Sequence, residues 1–306
     1  MHNNKMNIAI VVPTLNAGSV WANWINALKM QTCNIQTTLV IDSGSTDGTR
    51  ELAIQHGFKV HEIDKANFNH GATRQLALNL LENIDIVVYL TQDAVLSQTN
   101  TLQELVNAFE DLSVGAAYGK QLPRQEANPI ETHGRIFNYP DTSCVKSMAD
   151  LDTYGFNLIF ISNSFAAYRT TALTEAGGFP ANIILGEDTY TCAKILKCGW
   201  KITYQAKAKV IHSHGYSIFE EANRYFDTGV FHERENWLIK EFGGASGQGM
   251  KFVKSELLYL LSNQPLLIPL ALLRTLTKYL FYKLGRIERH LPLALKKKLS
   301  MNKGYW

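Results

Sequence analysis

No apolar run in this 306-residue sequence approaches the roughly 18 residues needed to span a bilayer. The longest candidate, Leu266 to Leu273, is interrupted by Pro269, so the chain can touch a membrane but is not expected to cross one. Cysteine is scarce. Cys33, Cys144, Cys192 and Cys198 show no CxxC spacing and no signal peptide precedes the first apolar run, which reads as reduced thiols in a cytosolic protein. Two phosphate-binding signatures are missing as well. No GxGxxG follows the first apolar run, and no GxxxxGK followed by Ser or Thr occurs, which disfavours a dehydrogenase or a P-loop enzyme. A large charge excess is also absent, since the net charge is only +3. That small sum hides an uneven spread: residues 251–306 hold eleven Lys and Arg against two Glu, so the rest of the chain is net acidic. The basic residues lie among leucines rather than stacking aromatics, which disfavours nucleic-acid binding.

What the chain has is an alternation of apolar runs and helical patterns. Hydrophobic residues make up 46% of it, enough to bury one large core, or one core with a smaller appendage. Met6 to Thr14 reads as a buried strand, followed by a turn at Thr14 to Gly18 and a helix marked by Trp21, Trp24, Ile25 and Leu28. Thr37 to Ile41 reads as a second strand ending at Asp42, and Ser43 to Thr49 as a hydroxyl-rich turn before a helix from Thr49 to His56. A third strand, Phe58 to Ile63, precedes a helix over Gly71 to Leu81 that Asn69 can cap. Ile86 to Tyr89 suits a strand covered on both faces of a sheet and should stop at Asp93. A helix near Thr101 to Phe109 and a strand near Gly115 to Lys120 continue the pattern. Together these argue for right-handed βαβ units: an α/β fold with a mostly parallel sheet flanked by helices.

In such sheets ligands sit beyond the carboxyl ends of the strands, so Asp93 either faces a divalent cation or sugar or is a solvated turn residue. The polar segment Leu122 to Asp152, with Pro123, Pro129 and Pro140, is long for a plain connection and reads as a functional flap. Beyond it, Phe156 to Phe160 and Phe165 to Tyr168 read as strands around Ser162-Asn163-Ser164, and Glu187-Asp188 as the start of a helix reaching Lys197. Short strands at Trp200 to Tyr204 and Lys209 to Ile211 lead into His212-Ser213-His214. Residues two apart on a strand point to one side, so both imidazoles can face one site, or form a satisfied pair on a half-buried face. Phe219 to Phe242 reads as a packing helix, and Gly243 to Gly249 as a linker to the basic tail. There Leu270, Leu273, Leu276, Leu280 and Leu284 share one stripe and Arg274, Thr275 and Lys278 another. Such a helix can lie in the interface of an anionic membrane, or pack on the domain with a solvated charged face.

Pro13-Thr14-Leu15-Asn16, Val40 to Thr49, the Asp93 strand end, Gly177-Gly178-Phe179 with Gly186-Glu187-Asp188, and the later His-Ser-His together resemble family 2 inverting glycosyltransferases of the GT-A fold. Phe68 to Arg74, Leu90 to Ala94, Asn138-Tyr139-Pro140, Ser162 to Phe165 and Arg224-Tyr225-Phe226-Asp227 are similar to the bacterial rhamnosyltransferase branch, which uses dTDP-L-rhamnose to build surface polysaccharide such as O-antigen. The resemblance extends over roughly residues 6–240, and the expected organisation is a GT-A domain over residues 1–242, with a nucleotide-binding half over 1–120 and an acceptor half over 121–242, followed by the basic helical tail at 251–306 as a membrane-surface attachment. The resemblance places Pro13, Thr14, Asn16 and Asp42, with Ser45 and Gln92, at the nucleotide sugar. Asp93 takes the final position of the family's Asp-x-Asp motif, binding Mg²⁺ or Mn²⁺. Thr91 stands at the first acidic position, so Asp93 is a lone carboxylate to which His212 or His214 can add a ligand. His70 and Arg74, one helical turn apart, either face the phosphates or are solvated, and Arg124 is a further candidate for that role.

Inverting transfer needs one carboxylate to take the proton of the acceptor hydroxyl, while metal and cationic groups meet the leaving diphosphate. Asp188 is the expected base, with Glu187 orienting the site or contacting the acceptor; acidic residues complementing a helix dipole are the plain alternative. The expected donor is dTDP-L-rhamnose and the acceptor a polyprenyl-diphosphate-linked saccharide at the inner membrane face. A UDP-sugar donor, a nucleotidyltransferase and a non-catalytic saccharide-binding scaffold are the competing readings. Thr14 to Ser19 contains neither Lys nor Arg, which speaks against the nucleotidyltransferase, and retention of both Asp93 and Asp188 speaks against the scaffold.

Overall fold

In the computed structural model, which describes residues 6–244 and 246–306, the expected alternation is present. β1 (Ile8–Thr14), α1 (Val20–Lys29), β2 (Thr37–Asp42), α2 (Thr49–Gln55), β3 (Lys59–Glu62), α3 (His70–Asn79) and β4 (Ile86–Leu90) follow one another. The Asn69 side chain caps α3 by accepting from the backbone N–H of Gly71 and Ala72, each at 3.0 Å. Next come β5 (Val95–Leu96), α4 (Thr101–Val106), β6 (Val114–Leu122), α5 (Pro129–Asn138), β7 (Cys144–Lys146), α6 (Leu151–Tyr154), β8 (Phe165–Arg169) and α7 (Thr170–Glu175). The chain ends with α8 (Glu187–Lys197), β9 (Lys201–Ile211), α9 (Ile218–Arg234), α10 (Asn236–Phe242), α11 (Ser246–Asn263), α12 (Ile268–Arg286) and α13 (Leu293–Leu299).

One mixed sheet runs in the order β3-β2-β1-β4-β8-β6-β9-β5, with β7 also pairing with β9. The pairs among β3, β2, β1 and β4 are parallel, because a helix separates each strand from the next. β8 is antiparallel to both β4 and β6, whereas β6 and β9 are parallel and β5 is antiparallel to β9, so the second half of the sheet is mixed. All five residues of β4 are buried, as its continuous apolar run requires of a strand covered on both faces. Tyr89, Tyr168 and Phe179 centre the core on one face; Trp21, Trp24 and Phe109 anchor the core on the other.

Several local expectations are corrected. Phe156 to Phe160 is not a strand: residues 155–159 form a 3-10 turn that buries Leu158 and Ile159 with no ladder partner. The two strands expected around Trp200 and Lys209 are one, β9, which steps past β6 between Gly119 and Lys120. A side chain at Gly119 would meet the Phe165 ring and the Ala208 carbonyl, so glycine permits the step. The flap segment contains a regular helix, α5, opened by Asn128 as cap and Pro129 at its first position. The long helix expected over 219–242 breaks at Glu235 into α9 and α10. Of the linker expected over 243–249, residue 245 lies outside the described residues, and α11 begins at Ser246.

The C-terminal segment packs onto the sheet domain. α12 lies along α9 where Gly229 faces Gly285: a Cβ on Gly285 would sit 2.1 Å from the Phe226 carbonyl oxygen. Arg274 and Lys278 turn inward to Glu221, at 3.2 and 3.3 Å, rather than to solvent. The leucine stripe splits accordingly. Leu270 and Leu284 pack inward while Leu273, Leu276 and Leu280 stand about half exposed. Among the described residues no helix is long and apolar enough to cross a membrane.

Candidate active site

The carboxyl ends of β1, β2 and β4 form one rim. Asp42 closes β2 fully buried, its two oxygens accepting Thr14 Oγ1 at 2.8 Å, Ser45 Oγ at 2.6 Å and the backbone N–H of Gly44 and Ser45. Burial pushes this carboxyl up, but the Ser45, Thr14 and Gly44 hydrogen bonds outweigh it and hold Asp42 below its usual range. Asp42 thus lies inside the loop rather than on its surface. Pro13 and Thr14 complete β1, and Asn16 follows in the left-handed region at φ 47°, exposed, its Oδ1 accepting from Thr46 N. Gln92 grips the Leu15 backbone from both ends of its amide, at 2.8 and 3.2 Å, tying the end of β4 to the end of β1.

Asp93 meets the histidines because β5 pairs antiparallel with the end of β9, Val95 opposite Ile211. A two-residue strand thereby brings the residue two before it beside the residue that follows β9. His212 Nε2 lies 3.4 Å from Asp93 Oδ1, and His214 Nε2 3.6 Å from Asp93 Oδ2. Burial would raise the Asp93 carboxyl, but the His212 hydrogen bond and the facing charges hold it far below the usual range. Burial and the His212 charge push His214 down to about 4, with Asp93 opposing and Arg135 and Arg224 adding, so its ring is neutral at physiological pH. One carboxylate oxygen and two imidazole nitrogens within 4.8 Å of one another can hold a divalent cation. This mixed donor set is compatible with Mn²⁺ or Mg²⁺, imidazole favouring the former.

The second carboxylate group opens α8. Gly186 precedes it at φ 78°, and a side chain there would strike the Phe231 ring of α9, so glycine is required both for the turn and for the packing. Glu187 is buried and pairs with Arg74 Nη1 at 2.9 Å. Burial opposes its charge, but Arg74 and then His70 outweigh that and keep the carboxyl below its usual range. Asp188 accepts the Asn163 N–H at 3.2 Å and the Thr189 N–H at 2.7 Å, yet burial and the Glu187 charge push it up to about 6. Asn163 bridges the pair, its Nδ2 donating to Glu187 while its Oδ1 accepts the Tyr168 hydroxyl. Antiparallel pairing of β8 with β4 sets the Ser162-Asn163-Ser164 turn beside the Asp93 strand end, with Thr91 N donating to Ser164 O.

The expected phosphate contacts divide. His70 is exposed at the start of α3, whereas Arg74 is 4% exposed and spent on Glu187 and the His70 carbonyl. Arg74 is therefore a buried counter-charge. Arg124 pairs with Glu131 beside Ser213. The sequence reading did not single out Gln121, which lies between His212 and Arg135, or Arg224 as a site residue. Arg224 is exposed on α9, has no ion pair among the described residues, and shares a helix face with Phe231. A cation following shortly after a strand-end His pair was the available signal.

A hydrogen-bonded rim of strand ends, a metal-competent cluster and a carboxyl tuned near neutrality are features that a group-transfer site on a nucleotide sugar would need. The profile of glycosyl transferase family 2 matches residues 9–177, and the chain belongs to this family and is a glycosyltransferase. It is 47% identical to the O-antigen chain rhamnosyltransferase RfbN of Salmonella typhimurium, over 98% of this chain and 96% of that one. It is 45% identical to the O-antigen chain rhamnosyltransferase WbaN of Salmonella anatum, again over 98% and 96%. Among solved structures it resembles a mannosyltransferase of Pyrobaculum calidifontis in complex with GDP-Man and Mn²⁺, with a TM-score of 0.66 at 17% identity, covering 94% of this chain and 89% of that one.

Proposed function

We propose that this protein is an inverting rhamnosyltransferase that moves L-rhamnose from dTDP-L-rhamnose to a hydroxyl of a polyprenyl-diphosphate-linked saccharide, in O-antigen or related surface polysaccharide synthesis. The observation that carries the catalytic reading is Asp188, a carboxyl pushed to about 6 beside the Glu187–Arg74 pair; the names of the two Salmonella relatives support the sugar. Asp188, ionised at neutral pH, takes the proton of the acceptor hydroxyl as its oxygen attacks the anomeric carbon. The carbon–oxygen bond to the diphosphate breaks on the opposite face, and its electron pair leaves with the β-phosphate oxygen. Mg²⁺ or Mn²⁺ held by Asp93, His212 and His214 would supply positive charge to that diphosphate. Arg224, which has no ion pair among the described residues, can add to it, and His70, its pKa lowered by desolvation so that the ring is neutral, can add a hydrogen bond. Asn16, Ser45 and Gln92 shape the nucleotide rim, with Asp42 and Thr14 holding it from within.

Residues 1–242 carry the transfer reaction in this reading, and 251–306 face the membrane. Leu273, Leu276, Tyr279 and Leu280 are all exposed on α12, with Lys283, Arg289, Lys297 and Lys298 exposed nearby in sequence. An apolar ridge with basic flanks suits the inner face of an anionic bilayer, where a lipid-linked acceptor would be met.

Calorimetry with dTDP and UDP, each with and without Mn²⁺, tests the donor. Metal-dependent preference for dTDP is expected; preference for UDP would overturn the rhamnose assignment. Asp188→Asn is expected to bind dTDP as the parent does and to lose transfer by a factor of about 10²–10⁴. Retained transfer would remove Asp188 from its role.

A further inference from the structure

The hydrogen-bonding groups around His212 Nδ1 are fixed in turn by the chemistry of their neighbours. An arginine guanidinium only donates. The Gln121 atom 2.8 Å from Arg135 Nη1 must therefore be its carbonyl oxygen, Oε1. The amide nitrogen then points the other way, where Nε2 donates to Ser162 Oγ at 3.0 Å. The same Oε1 lies 2.9 Å from His212 Nδ1. An oxygen that only accepts requires a hydrogen on Nδ1, so Nε2, the atom facing Asp93, is the one that hydrogen-bonds this carboxylate without a cation and gives up its proton when a cation takes its lone pair. From this geometry we infer that Arg135, acting through Gln121, is a positioning residue that fixes the Nδ1–H tautomer of His212 and so presents Nε2 as a metal ligand.

Arg135 does not act from a loose loop. It stands on α5, and Glu131, one turn earlier, accepts Ser213 Oγ at 2.5 Å and pairs with Arg124, whose backbone N–H donates to the same Ser213 oxygen at 3.0 Å. One helix face thus fixes two consecutive residues after β9, leaving the Nε2 atoms of His212 and His214 turned to Asp93. α5 is itself braced from behind, where His133 meets Ser255 and packs against Phe252 and Tyr259 of α11. Partners that hold the far nitrogen of a metal-bound histidine typically contribute 10–100-fold in metal affinity.

The inference rests on the metal reading of the Asp93 cluster, so its test has an arm that needs no metal. In the ¹⁵N NMR spectrum of the metal-free protein at pH 8, His212 is expected to carry a proton on Nδ1. Gln121→Met is expected to shift it toward Nε2–H, and Gln121→Glu, which still accepts from both Arg135 and His212, to restore Nδ1–H. In Mn²⁺ titrations Gln121→Met and Arg135→Met are expected to bind about 10–100-fold more weakly, with Gln121→Glu close to the parent. A parent ring without a proton on Nδ1 overturns the assignment, as does Mn²⁺ affinity unchanged by Gln121→Met. A parent protein with the expected tautomer that binds neither Mn²⁺ nor Mg²⁺ overturns the metal reading and the ligand half of this inference, and leaves the tautomer standing.

Discussion

Glu187 and Asp188 are neighbours in sequence with opposite fates. Arg74 keeps the first ionised; the second, without a cation of its own, inherits the first one's repulsion as well as its own burial. If Asp188 is the base, transfer should fall as pH drops through about 6, and the profile of kcat/KM against pH should show that limb. The same shift acts on stability. A carboxyl whose folded pKa is raised above its unfolded value favours the fold below the unfolded pKa and loses that contribution as pH rises through the folded one. At neutral pH the Asp188 charge therefore opposes folding, and Asp188→Asn should melt a few degrees higher than the parent while losing activity. Arg224→Ala should leave melting unchanged, since the side chain is exposed, and lower kcat/KM by about 10²-fold through weaker stabilisation of the leaving diphosphate. At this scale the sequence displayed the residue types at strand ends and helix starts. It could not display that Arg74 is buried against Glu187 and neutralises it, because that pairing joins side chains of α3 and α8, more than a hundred positions apart.

Elements bring these residues together by pairing rather than by proximity in the chain. β5 is only two residues long, yet its ladder with β9 joins Asp93 to His212. Antiparallel β8 sets the Ser162-Asn163-Ser164 turn beside both carboxylate groups. The period-2 and period-3.6 patterns made β1 to β4 and their helices legible, since a parallel strand covered on both faces is a continuous apolar run. They misread the turn at 155–159, where apolar residues are buried without a ladder, and they divided β9, where small and polar residues at Gln205 to Ala208 interrupt the apolar pattern at its irregular step. Helix α12 is held to α9 by a contact that only glycine allows. Gly285→Leu should cost about 1–3 kcal/mol or more in chemical denaturation through overpacking against the Phe226 carbonyl. Gly134→Ala, on α5 with open space around it, should instead stabilise by roughly 0.5–1 kcal/mol.

Across the whole molecule, the C-terminal helices serve as a second wall of the fold. The Asp227 carboxylate accepts the N–H groups of Met301 and Asn302, and Glu221, Glu233 and Glu288 take Arg274, Lys278, Arg286 and Lys296, so four of the basic tail's eleven cations are paired internally among the described residues. The membrane reading then rests on the exposed leucines together with the exposed cations beside them. Leu276→Glu with Leu280→Glu should abolish flotation with anionic vesicles while leaving melting and dTDP binding unaltered; unchanged flotation would refute it. The sequence by itself determined the α/β alternation and the strand ends that carry Asp93 and the His pair, because these follow from local periodicity and from polar residues at the ends of apolar runs, and it carried the family and the position of Asp188 through motifs that resemble those of that family. Tertiary structure alone decided which face α12 turns outward, which charges are buried and which exposed, and how α5 reaches His212 through Gln121. Those outcomes depend on close approaches and hydrogen bonds between distant segments, and local pattern carries no record of them.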